Sequence, residues 1–171
     1  MLTMTTLPLR ENVCIFLLSP SGRVLVARDR NSDPFWRLPQ GGLEEEKEEF
    51  AVIRELSEEL GLKESSVHPL QKLRATVEYE FQTQHPGVSD KYRGQRQQYW
   101  VALFLGNDEE ILAPGVALST EFNEWRWAEL SELEYITEPK RFKRYIAAIG
   151  EIVAENLTAR VGSYTRSAGN G

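Results

Sequence analysis

Residues 54–62, RELSEELGL, place three glutamates on one stripe of a helix directly behind a Pro39-Gln40-Gly41-Gly42 turn. At about 100° per residue, Glu55, Glu58 and Glu59 fall within about 100° of one another, while Ile53, Leu56 and Leu60 gather on the opposite side. Three carboxylates packed this closely repel one another unless a cation sits between them, and all-oxygen ligands of this kind suit magnesium or manganese. The competing reading is a solvated acidic face, which surface helices often carry. The turn in front of the acids favours the first reading, a metal-dependent hydrolase.

The flanking sequence supplies a sheet for that helix to pack on. Asn12 to Leu18 is β-branched or apolar, Ser19-Pro20-Ser21-Gly22 carries turn chemistry, and Arg23 to Ala27 resumes a strand pattern, which together predict a hairpin. The helix is expected to begin within Leu43 to Glu46, where acids complement its positive end, and to stop at Gly61. Val67 to Gln82 predicts one long or two short strands, Thr83 to Gln95 a loop, and Tyr99 to Leu105 and Phe122 to Trp127 two further strands. Tyr99 and Trp100 are expected in the core. Pro139 opens a last helix whose apolar stripe is Phe142, Ile146, Ile149, Val153 and Leu157, and Ser163 to Gly171 is expected as a frayed tail. The fold class is α+β, with a central sheet between helices.

At 171 residues the chain suits one domain, and its net charge of −6 gives no global basic field for a duplex. A polyanionic partner must be gripped locally. The lone cysteine, Cys14, lies in the apolar run VCIFLL, so it is expected as a buried structural thiol in a reducing compartment. No stretch has the length of a membrane span, and MLTMTTLPLR lacks the apolar core of a signal peptide, so a cytoplasmic protein is expected. His68 and His85 have no metal-ligand spacing and read as surface histidines.

From Gly41 to Leu62 the sequence closely resembles the Nudix box, G-x5-E-x7-R-E-U-x-E-E-x-G-U with U aliphatic. The second half matches throughout. Glu46 stands eight residues before Arg54, as the pattern requires, but Gly41 precedes Glu46 by one residue too few. A residue lost inside the helix would turn the acid stripe by about 100° relative to the loop, so the shortening is expected at Leu43 to Glu45. WRLPQGG, KYRGQRQQYW, EFNEWRW and RFKR extend the likeness to the branch containing RNA pyrophosphohydrolases and dinucleoside polyphosphate hydrolases.

That resemblance implies a Nudix-type α/β/α sandwich with a mixed central sheet, a catalytic loop-helix-loop and a C-terminal helix. Residues 10–160 would form the domain, 1–9 an N-terminal extension and 161–171 a flexible tail. It further implies that Glu55, Glu58, Glu59 and Glu121, with the backbone carbonyl of Gly41, hold Mg2+ or Mn2+, and that Glu58 or Glu59 doubles as the base. Glu46 and Arg54 would pair to orient the loop, and Gly61 would end the helix. Arg10, Arg28, Gln40 and Gln95 are the implied phosphate contacts, with Arg30 competing for the role of Arg28. Phe142 would stack a base, Lys143 would contact a phosphate or base, and Tyr99 and Trp100 stay in the core. The implied reaction is removal of pyrophosphate from the 5′ end of single-stranded RNA by a monomer. The alternatives are hydrolysis of a dinucleoside polyphosphate and a binding module that has lost catalysis. Neither duplex DNA nor a membrane is an expected partner.

Overall fold

A computed structural model describes residues 6–168. Strand β1 (Leu9–Leu18) runs through the middle of the sheet, and Asn12 to Leu18 are all buried, so its apolar run is continuous rather than alternating. β1 lies parallel to β5 (Gly94–Phe104), from Leu9 opposite Gly94 to Leu18 opposite Leu103. Along its other edge it pairs antiparallel with β3 (Gln40–Gly42) and, at Leu18, with β2 (Val24–Arg28). β4 (Val67–Glu80) pairs with β5 and β6 (Glu124–Ala128) with β2, both antiparallel. The sheet is mixed, in the order β4-β5-β1-β2-β6 among the described residues.

Both faces of this sheet are covered. Cys14, Phe16 and Leu18 point to one side, where Tyr145, Ala148, Ile152, Leu157 and Val161 of the C-terminal helices pack on them. Val13, Ile15 and Leu17 point to the other, under α1 (Glu48–Leu60). The architecture is therefore the expected α/β/α sandwich. Cys14 is 1% exposed, and burial pushes its thiol well above the usual range, as suits a structural residue. Tyr99 and Trp100 lie in the core, as expected.

Several local expectations are corrected. The helix begins at Glu48, later than Leu43 to Glu46, because Glu46 is drawn into a side-chain contact with Arg54. Its buried residues are Ala51, Val52, Glu55, Leu56, Glu59 and Leu60. The acids thus border the buried face instead of opposing it, and Ile53 sits at the margin. Gly61 ends the helix as expected, at φ 73° with its N–H shared by the carbonyls of Leu56 and Ser57. Val67 to Gln82 yields one strand, with register shifts at Pro69/Gln71 and Lys72/Thr76. β5 starts at Gly94, so Gln95 belongs to a strand and not to the preceding loop. The Gln40–Gly42 turn is itself a short strand.

The last helix is broken in two. α2 (Leu133–Ile136) is a single turn, α3 (Pro139–Ala154) follows, and Asn156 at φ 51° separates it from α4 (Leu157–Ala168). Helix therefore occupies much of the stretch expected as a tail, and residues 169–171 lie outside the described residues. In α3 the buried side chains are Tyr145, Ala148 and Ile152, whereas Ile146 and Val153 are 52% and 66% exposed. Phe142, Ile149 and Leu157 of the expected stripe also pack against the core, so only Ile146 and Val153 of it are turned away. Among the described residues no helix is long and apolar enough to cross a membrane.

Candidate active site

β1, β3 and β5 converge where α1 passes over the sheet, and a cleft of about 310 Å3 opens there. Its lining brings together Arg10 from β1, Gln40 to Gly42 from β3, Glu55, Glu58 and Glu59 from α1, Gln95 from β5 and Glu121 from the loop before β6. That loop is tied to α1 because the backbone N–H groups of Leu118 and Ser119 both donate to the Glu58 carbonyl at 2.9 Å. Both glycines lie directly against functional side chains. A Cβ on Gly41 would sit 1.9 Å from the Glu55 carboxyl carbon, and one on Gly42 would sit 2.3 Å from an Arg10 guanidinium nitrogen.

Arg54 organises the loop. Its Nε donates to Glu46 Oε1 at 2.9 Å, its Nη2 to the Gly42 carbonyl at 2.9 Å and its Nη1 to Glu55 Oε1 at 2.9 Å, with Glu58 at 3.3 Å. The hydrogen bond from Arg54 holds the Glu46 carboxyl below its usual range. The shortened stretch from Gly42 to Glu48 lies ahead of the helix, outside the turns that carry Glu55, Glu58 and Glu59.

Burial and mutual repulsion govern the acids of the cleft. Burial pushes the Glu59 carboxyl up to about 10, and the charges of Glu121 and Glu55 push the same way, opposed by the Gln40 backbone N–H. Burial raises Glu55 to about 7 against the pull of Arg54. Carboxylates raised by each other and by burial are the donors that a hard divalent ion relieves, so this donor set fits Mg2+ or Mn2+. Among the described residues no three such groups already converge as a cage. Guanidinium groups hold three of the four carboxylates, Arg54 at Glu55 and Glu58 and Arg37 at Glu121.

A second groove, of about 650 Å3, continues from the cleft and shares Arg10, Gln40, Gln95 and Glu121 with it. Its other walls carry Arg37, Lys140, Arg141 and Arg144, which outnumber Glu80 and Glu138, and the rings of Tyr79, Phe81 and His85. Arg144 lies 3.5 Å over the Tyr79 ring, and Phe81 meets His85 edge-on at 4.8 Å. Gln95 is 9% exposed, and its Oε1 has no hydrogen-bond partner, an acceptor left for whatever occupies the groove. Gln97, 3% exposed, donates to Gln40 Oε1 and to Asn12 Oδ1, which fixes the Gln40 side chain.

Three expected contacts lie elsewhere. The Arg28 guanidinium is spent on Glu124 at 2.7 Å, on the Pro34 carbonyl and on the Trp36 ring at 4.2 Å, and it faces neither cavity. Arg30 also stays outside both cavities, with its backbone N–H on Asn123. Phe142 packs against the core, and exposed Lys143 lies outside the groove, because α3 turns Lys140, Arg141 and Arg144 toward it instead. His85, expected as an ordinary surface residue, borders the groove, while His68 stacks on Tyr164 at 5.0 Å. Sequence reasoning missed Arg37, Arg141, Arg144 and Gln97. Arg37 stood in WRLPQGG, and the 140/141/144 spacing in PKRFKR was the available helical signal.

The family model described as NUDIX domain matches residues 8–149. The chain is 40% identical over 151 residues to the RNA pyrophosphohydrolase of Acidiphilium cryptum, covering 83% of this chain and 87% of that protein. Among solved structures it is similar to the E. coli dihydroneopterin triphosphate pyrophosphohydrolase, with TM-score 0.58 and 18% identity over 84% of this chain and 99% of that one. A C. elegans Ap4A hydrolase binary complex is similar at TM-score 0.54 and 18% identity, over 83% and 98% of the two chains. These two likenesses show the fold alone.

Proposed function

The chain belongs to the Nudix family, and from that premise we propose that it is a divalent-cation-dependent hydrolase that removes pyrophosphate from the 5′ triphosphate or diphosphate end of RNA. The observation that carries the choice of substrate is the basic, aromatic groove leading out of the acidic cleft. A free nucleotide needs the cleft; a chain of nucleotides also needs a track for the phosphates and bases behind it. Arg10, Arg141 and Arg144 supply charge along that track in a protein of net charge −6.

Glu55, Glu58, Glu59 and Glu121, with the Gly41 carbonyl, would hold Mg2+ or Mn2+. When bound, such ions neutralise the phosphoryl oxygens and acidify the attacking water. Glu58 or Glu59 would accept the proton of that water. Arg10, beside Gly42, and the amides of Gln40 and Gln95 hold the phosphate chain so that the leaving oxygen lies in line. Arg54 and Glu46 keep the loop at the distance from α1 that this requires. Buried Cys14 is consistent with a reducing, cytoplasmic setting.

Dinucleoside polyphosphate hydrolysis is the second reading, favoured by Tyr79 and Phe81, which offer a second nucleoside an aromatic wall. Specificity constants for a 5′-triphosphorylated oligonucleotide and for diadenosine tetraphosphate, measured at matched magnesium, decide between them. We expect the RNA to be preferred by at least about tenfold, or ~1.4 kcal/mol. The reverse ratio would install the second reading.

A further inference from the structure

One cation of the groove reaches an acid of the cleft. The backbone of Arg37 is pinned by reciprocal hydrogen bonds with Ala27, 3.0 Å each way, so only its side chain is free to move. The guanidinium lies 4.9 Å from the centre of the Phe122 ring, and Nη2 reaches Glu121 Oε1 at 2.7 Å. Its Nε is buried without a hydrogen-bond partner. Arg37 lines the groove, and Glu121 lines both groove and cleft. Glu121 also interacts with Glu59, the most buried acid of the cleft.

A guanidinium and a divalent ion cannot both draw fully on one carboxylate, because they compete for the same oxygens and repel each other. We propose that Arg37 is an exchangeable counter-ion. In the substrate-free protein it neutralises Glu121 and competes with the divalent cation for it; once displaced, it turns to a phosphate of the substrate. The inference rests on the metal-dependent hydrolase reading of this site. The rotation is short, since both partners line one groove, and the unused Nε makes a two-pronged hold on phosphate available. A purely structural ion pair makes the opposite prediction, because its loss would loosen Glu121 and weaken every ligand together.

Calorimetric titration of Mn2+ into substrate-free protein separates the two. Arg37→Gln should bind Mn2+ about two- to fivefold more tightly than wild type, the range of a partly exposed ion pair. The same variant should raise KM for a 5′-triphosphorylated oligonucleotide about tenfold with little change in kcat. Arg37→Lys, which keeps the charge and guards against misfolding, should match wild type in Mn2+ affinity. Adding Arg37→Gln to Glu121→Gln should tighten Mn2+ no further. Unchanged or weaker Mn2+ binding by Arg37→Gln would overturn the counter-ion role and leave the hydrolase reading standing. Failure of wild type to bind Mn2+ at all would instead remove the hydrolase reading, and this inference with it.

Discussion

The acidic cleft and the basic groove share four residues, yet they are put together in different ways. The cleft draws most of its acids from one helix and the short strand before it, so Gly41, Glu55, Glu58 and Glu59 stand within one continuous segment, and only Glu121 joins them from afar. The groove gathers Arg10, Arg37, Tyr79, Arg141 and Arg144 from two strands, a loop and a helix distant in sequence. The comparison suggests a division of labour. Bond breaking depends on closely coupled acids whose spacing tolerates almost no change, while substrate choice depends on separate cations whose effects are individually modest.

The largest effect should come from the cleft. Glu58→Gln is expected to lower kcat about 10³-fold, within the range for loss of a base or charged metal ligand, and to move Tm by under about 3 °C. Glu58 is 37% exposed at its side chain, so the fold does not depend on it. Turnover that survives would break the assignment of chemistry to this region. Gly41→Ala comes next. Its Cβ would strike the Glu55 carboxylate, and a displacement of about 1 Å there should cost about 10²-fold in kcat/KM.

A smaller effect should separate the two regions. Arg141→Ala is expected to raise KM for a 5′-triphosphorylated oligonucleotide about threefold to tenfold at low salt, with a shallower salt dependence. Hydrolysis of a nucleoside triphosphate by the same variant should stay within about twofold of wild type. Equal losses on both substrates would show that the RNA chain does not use the groove. The smallest effect concerns stability. Glu46 is held below its ordinary value of 4.5 by Arg54, so the unfolded chain takes up that proton first as pH falls. Its stabilisation is complete above the ordinary value and is lost as pH drops through the depressed one. Chemical denaturation across that window should show an acid-side decline in wild type that Glu46→Gln flattens.

What could be read before folding followed the same division. The acids of α1 and the Gly61 stop were legible because helical spacing and a positive-φ glycine are properties of neighbouring residues. The groove was not. Phe142 and Arg141 are adjacent in RFKR, and which of them faces the core depends on how α3 is rotated against the sheet. The same rotation buried Tyr145 and Ala148 and left Ile146 and Val153 exposed. Arg28 and Arg30 were the competing phosphate contacts in the sequence, but Glu124 and Trp36 engage Arg28, and it is Arg37 that stands in the groove against Glu121.

The amino-acid order by itself determined the hairpin, the acid-bearing helix, the sandwich class and the oxygen-donor chemistry, since each follows from patterns within a few turns or strands. Tertiary structure alone decided which arginines line the groove, which carboxylates are buried, and that Arg37 stands against Glu121. Those outcomes depend on distances between segments tens of residues apart, and no local periodicity encodes them.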